Sequence, residues 1–196
     1  MSKFSLSGLF ASKRDIPIYK PRKKIKPANM IQVDTAWAGL ELIIEDILRR
    51  FEIKRERCIE FGVEFGYSSA VFSNYFKEVT GVDTFEGDEH TAHLGDHFWE
   101  TKNRLSAFQN IQLHKSDYKD WIKEDNSRYD FAHVDIVHNY DETYECGLWA
   151  VNHSVCTIFH DTESFPAVRK AVIDIAKITG KKVYNYPKCH GLGIIV

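Results

Sequence analysis

The chain has no long hydrophobic run, no repeated segment and no low-complexity block. Its longest apolar runs are far below the ~20 residues that a membrane-spanning helix needs, so we expect no membrane span. The first residues, Met1 to Ser12, lack the apolar core of a signal peptide. These absences lead us to expect a protein of the cytoplasm.

Paired cysteines are also missing. The four cysteines, at positions 58, 146, 156 and 189, form no C-x-x-C motif, and two of them fall in apolar, strand-like stretches. This pattern is typical of reduced thiols that pack in a core, rather than of a disulfide framework.

Charge is distributed unevenly along the chain. Residues 1 to 26 hold eight Lys or Arg against one Asp, although the whole chain has a net charge of −2. We therefore predict a basic N-terminal arm over residues 1–30 and one compact domain over residues 31–196. Clustered cations attract any polyanion, so the arm could contact nucleic acid, an anionic glycan or a lipid surface. The alternative is a solvated lead-in segment.

Helical and strand-like patterns alternate after the arm. Asp34 could cap a first helix that runs to about Phe51 and carries a broad apolar face. The last two strands are joined too closely for a helical crossover, so they must pair antiparallel. The pattern predicts an α/β fold with a doubly wound, mostly parallel seven-stranded sheet and an antiparallel C-terminal strand. The predicted strands are 57–62, 79–83, 111–115, 130–135, 155–160, 182–186 and 191–196.

A glycine-bearing turn follows the first predicted strand. Gly62 and Gly66 have no Cβ atoms to keep a ligand away from the backbone, and the helix that follows offers unpaired N–H groups. Asp83 ends the next strand, roughly 20 residues later, where a carboxylate can bind both hydroxyls of a ribose. Asp117 follows the third strand and could accept a hydrogen bond from an exocyclic amine, or it could cap the next helix. The spacing predicts a nucleotide-like cofactor.

Two acids and two histidines end the fourth and fifth strands. Asp135 and Asp161 could supply oxygen ligands to Mg²⁺, and His138 could act as a general base. The alternative is that the two acids cap the following helices while the histidines satisfy local hydrogen bonds.

Four motifs together resemble those of the class I S-adenosylmethionine-dependent methyltransferases, which have a Rossmann-like fold. Within that class, the chain is similar to the metal-assisted O-methyltransferases that act on macrolide sugars and catechols. The resemblance covers residues 55 to 196. It rests on E-F-G-V-E-F-G-Y-S at 60–68, D-T-F-E-G-D-E-H at 83–90, D-I-V-H at 135–138 and F-H-D at 159–161.

The resemblance implies a role for each matched residue. The cofactor S-adenosylmethionine would contact Gly62, Tyr67 and Ser68 around its methionine part, Asp83 at its ribose, and Ser116 and Asp117 at its adenine. Glu60 and Gly66 of the first motif would also belong to the cofactor-binding set. A divalent cation such as Mg²⁺ would bind Asp135, His160 and Asp161, while His138 and Asp135 would be catalytic and Asp88 and His90 would contact the substrate. Two positions depart from the family pattern: Ile136 replaces a glycine, and His160 takes a position that an acid holds in some of the macrolide-sugar enzymes.

These implications predict methyl transfer to a hydroxyl of a small molecule, sugar or glycan. One alternative is a nucleic-acid methyltransferase, but the Asn/Asp-Pro-Pro-aromatic turn of base N-methylation is absent at residues 135–138. A second alternative is a non-catalytic cofactor- or glycan-binding module. A three-histidine metal site at 90, 93 and 97, an acceptor pocket lined by Phe98, Trp99 and Trp149, and a homo-oligomer also remain open.

Overall fold

A computed structural model describes residues 16–87 and 95–196 of the chain. Within these residues, strands and helices alternate. No helix in the described ranges is long and apolar enough to cross a membrane. The strands are β1 (Arg57–Phe61), β2 (Glu78–Asp83), β3 (Ile111–Lys115), β4 (Tyr129–Val134), β5 (Ser154–His160), β6 (Val183–Tyr186) and β7 (Leu192–Ile195). The helices are α1 (Glu41–Arg50), α2 (Tyr67–Ser73), α3 (Phe98–Arg104), α4 (Tyr118–Glu124), α5 (Tyr140–His153) and α6 (Pro166–Thr179).

The seven strands form one sheet in the order β3-β2-β1-β4-β5-β7-β6. The first five are parallel, and β7 pairs antiparallel with both β5 and β6. This topology confirms the predicted fold class. Because β1 lies between β2 and β4, the strand order reverses there, and a crevice opens at the carboxyl ends of these strands.

Alternating side chains of β1 pack against opposite faces of the sheet. Cys58 contributes to a core that includes α1 and α2, whereas Ile59 and Phe61 contribute to a core that includes α5 and α6. The period of two residues in a strand explains this division. Each fully buried Ile or Leu contributes about 1.5–3 kcal/mol, so both helical layers are held mainly by apolar burial.

The first helix begins at Glu41, so the prediction that Asp34 caps it is wrong. Gly39 has a φ of +100°, a conformation that interrupts a right-handed helix. Trp37 is only 2% exposed, because its indole packs edge-on against Phe72 and His133. The apolar pattern therefore begins in a turn, and the helix follows it.

The described part of the N-terminal arm packs on the domain. Ile18 forms a parallel bridge with Asn185 at the β6 edge of the sheet. The Asp46 carboxylate on α1 accepts hydrogen bonds from the Tyr19 hydroxyl (2.6 Å) and from the backbone N–H groups of Arg22 (3.0 Å) and Lys23 (3.1 Å). The predicted boundary at residue 30 stays a proposal. Residues 16–26, on the N-terminal side of that boundary, are attached to the domain on its other side.

We predict that Asp46→Ala lowers the free energy of unfolding by at least about 3 kcal/mol, because hydrogen bonds to a charged group contribute about 1.5–3 kcal/mol each and the buried Tyr19 hydroxyl loses its acceptor, while the part-buried N–H groups of Arg22 and Lys23 can bind water instead. Tyr19→Phe should cost less, since it removes one donor only. The measurement is urea unfolding followed by circular dichroism. Asp34→Ala is the matched control, since Asp34 is exposed and caps no helix. Equal stability losses for Asp46→Ala and Asp34→Ala would contradict the proposed anchoring.

Candidate active site

A cavity of about 560 Å³ lies at the carboxyl ends of the parallel strands. Its wall includes the glycine turn after β1, the end of β2 and the segments that follow β3, β4 and β5. Most of the residues singled out by the sequence line this one cavity. They are Gly62, Tyr67, Ser68, Asp83, Ser116, Asp117, Asp135, His138, His160 and Asp161.

The glycine turn touches the backbone that follows β4. Gly62 has a φ of +86°, and a Cβ at this position would lie 1.7 Å from the carbonyl oxygen of Asp135. Gly66 also has a positive φ, and its Cβ would meet Leu105 at 2.6 Å. Only glycine fits both positions, which explains why two glycines frame the turn.

Asp83 fastens the end of β2 to the glycine turn. Its Oδ2 accepts hydrogen bonds from the backbone N–H groups of Val63 (2.7 Å) and Glu64 (2.8 Å), and its Oδ1 accepts one from Phe85 (2.7 Å). A carboxylate offers about four lone-pair sites, so three of them are already used. Asp83 therefore shapes the turn, and Oδ1 retains one acceptor site; a role toward a ribose stays a prediction.

Glu60 does not line the cavity, because its side chain is fully buried beneath it. Glu60 accepts a hydrogen bond from Ser69 and lies 2.9 Å from Nδ1 of His133, while the Trp37 indole N–H donates to Nε2 of His133 over 3.2 Å. Since Nε2 accepts, Nδ1 carries the proton and donates to Glu60. Glu60 would therefore act on a cofactor only through Trp37 and the first turn of α2.

Two acids and two histidines form a compact cluster beside the glycine turn. Nε2 of His138 lies 2.8 Å from Asp161 Oδ2 and 3.6 Å from Asp135 Oδ1. Nδ1 of His160 lies 3.0 Å from Asp135 Oδ2 and 3.4 Å from Asp161 Oδ2. The ring of His138 stacks on Phe165 with a centroid distance of 4.2 Å and an interplanar angle of 8°. This stacking fixes the orientation of the imidazole.

The electrostatics of this cluster favour its ionised forms. Burial disfavours the His138 imidazolium, but hydrogen bonds and negative charge from Asp135 and Asp161 outweigh that effect and raise the pKa of His138 to about 10. Burial likewise opposes ionisation of Asp135, yet the charge of His160 and hydrogen bonds from His138 and His160 hold its pKa well below the usual range. The Asp135 carboxylate that faces the cavity is therefore anionic.

The donor set fits a divalent cation. Asp135, His138 and Asp161 each offer one ligand atom, and these atoms lie within 4.8 Å of one another. His160 is placed differently from the predicted ligand set, because its Nδ1 bonds to Asp135 and its Nε2 lies 3.3 Å from the Cys189 carbonyl oxygen. In this arrangement His160 orients the Asp135 carboxylate, as outer-shell residues commonly do at metal sites.

At the other end of the cavity, Asp117 caps α4. Its Oδ1 accepts a hydrogen bond from the backbone N–H of Lys119 at 2.7 Å, which confirms the capping interpretation. The side chain is exposed and still lines the cavity beside Ser116. A role toward adenine is compatible with this position and stays a prediction.

The remaining sequence predictions have different outcomes. Asp88, His90 and His93 lie outside the described residues. His97 is buried and lines the cavity, with its Nδ1 at 3.1 Å from the Gly95 carbonyl oxygen. The three aromatic residues considered for an acceptor pocket, Phe98, Trp99 and Trp149, do not line the cavity.

Sequence reasoning missed a part of the wall that lies outside the strand-end motifs. Thr35 and Trp37 come from the turn before α1, Ser164 follows β5, and His190 comes from the connection between β6 and β7. Ser164 Oγ and His190 Nδ1 are 3.0 Å apart. Trp37 falls within the apolar pattern of the predicted first helix, and no local pattern marks His190 because its position depends on the antiparallel pairing of β6 with β7.

Comparisons with known proteins agree with this geometry. A family model described as a methyltransferase domain matches residues 59–162. A curated protein from Sinorhizobium fredii, y4gI, described as uncharacterised, is 25% identical over 161 residues, which are 73% of this chain and 17% of that protein. The chain therefore spans less than a fifth of the length of this relative.

Solved structures share the fold at low sequence identity. The O-methyltransferase NovP matches with a TM-score of 0.63 and 12% identity over 80% of this chain and 77% of its own. An O-methyltransferase from Bacillus cereus in complex with SAH matches with a TM-score of 0.55 and 13% identity over 84% and 82%. TomG, an O-methyltransferase from Streptomyces achromogenes in complex with SAM, matches with a TM-score of 0.54 and 16% identity over 85% and 91%. These likenesses establish the fold.

We predict that Gly62→Ala reduces the free energy of unfolding by more than about 3 kcal/mol, because strain at a positive φ adds to a backbone clash. Gly180→Ala is the matched control, since Gly180 also has a positive φ but its Cβ would meet nothing within 4 Å. That variant should cost only about 1–2 kcal/mol. Chemical unfolding of both variants is the measurement, and similar losses would contradict the role of the contact with Asp135.

Proposed function

We propose that this chain, which belongs to the methyltransferase-domain family, transfers the methyl group of S-adenosylmethionine to a hydroxyl of a small molecule, sugar or glycan. The cofactor S-adenosylmethionine would bind with its methionine part at the glycine turn. Its ribose would lie at Asp83, and its adenine at Ser116 and Asp117. Of the predicted cofactor-binding residues, Glu60 and Gly66 do not line the cavity, and the other six do: Gly62, Tyr67, Ser68, Asp83, Ser116 and Asp117.

One observation carries the proposal. The glycine turn and the Asp135–His138–Asp161 cluster line the same cavity, and the Gly62 backbone lies directly against the carbonyl of Asp135. A cofactor on the turn would therefore place its sulfonium next to the cluster. Methyl transfer needs the acceptor oxygen close to the methyl carbon and in line with the departing sulfur. The cluster is the set of polar groups best placed to hold that oxygen.

The carboxylates of Asp135 and Asp161 would hold a divalent cation, which leaves the lone pair of His138 Nε2 for proton transfer. Their oxygen-rich composition suits Mg²⁺. When bound, such a cation lowers the pKa of a coordinated hydroxyl and fixes its position. Asp135 is itself oriented by His160, so the carboxylate does not have to reorganise when a ligand arrives.

His138 would accept the proton of the acceptor hydroxyl at Nε2. The stacking on Phe165 and the contact with Asp161 point this nitrogen at the cluster. Neutralisation of the two carboxylates by a bound cation would remove the interactions that raise the pKa of His138, which favours the neutral ring that a general base requires. The sulfonium already carries a good leaving group, so no covalent enzyme intermediate is needed.

Two alternatives remain separable by experiment. A nucleic-acid methyltransferase that modifies base amino groups is less well supported, since the segment after β4 reads Asp135-Ile136-Val137-His138. A non-catalytic module of the same fold would bind the cofactor without turnover.

We also propose that the chain acts in the cytoplasm and that its catalytic domain spans residues 31–196, with homo-oligomer formation left open.

We predict that His138→Ala lowers methyl transfer by about 10²–10⁴-fold, the usual contribution of a general base, while S-adenosylhomocysteine binding is retained. The assay is mass spectrometry of methylated products from a panel of catechols and sugars, with calorimetry for cofactor affinity. His153→Ala is the control, because His153 stacks on Trp149 away from the cavity. Equal activity of the two variants would favour another base or a non-catalytic role.

We further predict that EDTA abolishes transfer and that Mg²⁺ restores it, since both carboxylates then lose and regain their shared cation. Asp161→Asn should raise the Mg²⁺ concentration needed for half-maximal activity by at least about tenfold, through the loss of one charged ligand. Full activity in EDTA would exclude the metal-assisted mechanism.

A further inference from the structure

Five exposed cations form a continuous strip on the segment before α1. We call Lys20, Arg22, Lys23, Lys24 and Lys26 the basic strip, and all five side chains are exposed. Among the described residues, none of the five forms an ion pair with a carboxylate. Their charge is therefore available to a partner.

Backbone groups attach the strip to the domain and leave its side chains exposed. The N–H groups of Arg22 and Lys23 donate to Asp46, the N–H of Ile25 donates to the Leu42 carbonyl oxygen at 2.8 Å, and Arg50 donates to the Lys20 carbonyl oxygen at 2.8 Å. Between them, Ile25 is half-buried and Pro27 is buried. A charged segment fixed in this way loses little conformational entropy when it binds a ligand.

The start of α1 links the strip to the cavity wall. The N–H of Ile25, within the strip, donates to the carbonyl oxygen of Leu42 in the first turn of α1. Trp37, in the turn before α1, lines the cavity, and so does Val33, which follows the strip in the chain. The positive charge therefore lies on the segment that leads into the cavity wall.

We propose that the basic strip binds an anionic glycan and leads one of its hydroxyls to the cavity. Binding of the glycan depends on the strip alone, whereas delivery of a hydroxyl rests on the proposed function. A glycan that carries carboxylate, sulfate or phosphate groups combines two features of this molecule, since its charge matches the strip and its hydroxyls match the methyl-transfer chemistry.

The composition of the strip favours a glycan over other polyanions. It contains no aromatic side chain on which a nucleic-acid base could stack. One large apolar residue near it, Ile18, is 59% exposed. A single isoleucine gives little insertion into a bilayer, because peripheral helices bind membranes through a broad apolar face. The strip therefore offers charge in an extended row without a stacking platform or an apolar anchor.

The test is fluorescence anisotropy of a labelled oligogalacturonate with the full-length protein at low and at physiological salt. We expect binding that weakens as salt rises and that falls by at least about tenfold in Lys24→Glu/Lys26→Glu, which reverses two charges of the strip. The control is Lys54→Glu/Lys177→Glu, which makes the same charge change at two exposed lysines outside the strip. That control should bind within about twofold of the natural protein, because the distant charges are screened.

The outcomes separate this inference from the proposed function. No binding of oligogalacturonate, equal loss in both double variants, or tighter binding of a single-stranded RNA or of phosphatidylserine vesicles would each overturn it. S-adenosylhomocysteine binding, measured on the same variants, reports on folding and on the cofactor site. Methyl transfer to small acceptors should survive in Lys24→Glu/Lys26→Glu. Loss of glycan binding with methyl transfer retained therefore concerns the strip alone, whereas absence of methyl transfer in the natural protein concerns the proposed function.

Discussion

The close approach between Gly62 and the carbonyl of Asp135 is the contact on which the rest of the site depends. It brings the turn after β1 against the segment after β4, two strands that are neighbours at the point where the strand order reverses. Asp83 supports the same turn from the other side through two backbone N–H groups. The glycine turn is thus held between the ends of β2 and β4, directly against the segment that carries Asp135.

The part of the cavity wall after β4 and β5 carries opposite charges at short distances. Asp135 and Asp161 face two histidines within hydrogen-bonding distance, in a partly buried setting where such interactions are stronger than in water. Charges in this setting are stabilised only when they are paired. A cation bound between the carboxylates would take over part of the pairing that the histidines now provide, so the same residues can serve stability and chemistry.

The fold and the strand-end motifs were predictable because each rests on a local pattern. The period of two residues along β1, the left-handed glycines and the acids at strand ends all follow from short segments of sequence. The start of α1 was not predictable in this way, since the turn that contains Trp37 depends on the packing of its ring against Phe72 and His133. His190 reaches the cavity through pairing of β6 with β7, and Glu60 is removed from it by a buried hydrogen bond to His133. Tertiary contacts decided each of these positions.

The most direct test of the account is the nuclear magnetic relaxation of the methyl group of S-adenosylmethionine bound together with Mn²⁺. A paramagnetic ion broadens nearby proton signals with a steep dependence on distance. If S-adenosylmethionine binds at the glycine turn and Mn²⁺ binds at the carboxylates of Asp135 and Asp161, the methyl signal should broaden strongly with Mn²⁺. The signal should recover in Asp135→Asn/Asp161→Asn while the cofactor stays bound. A sharp methyl signal from the bound cofactor in the presence of bound Mn²⁺ would contradict the account.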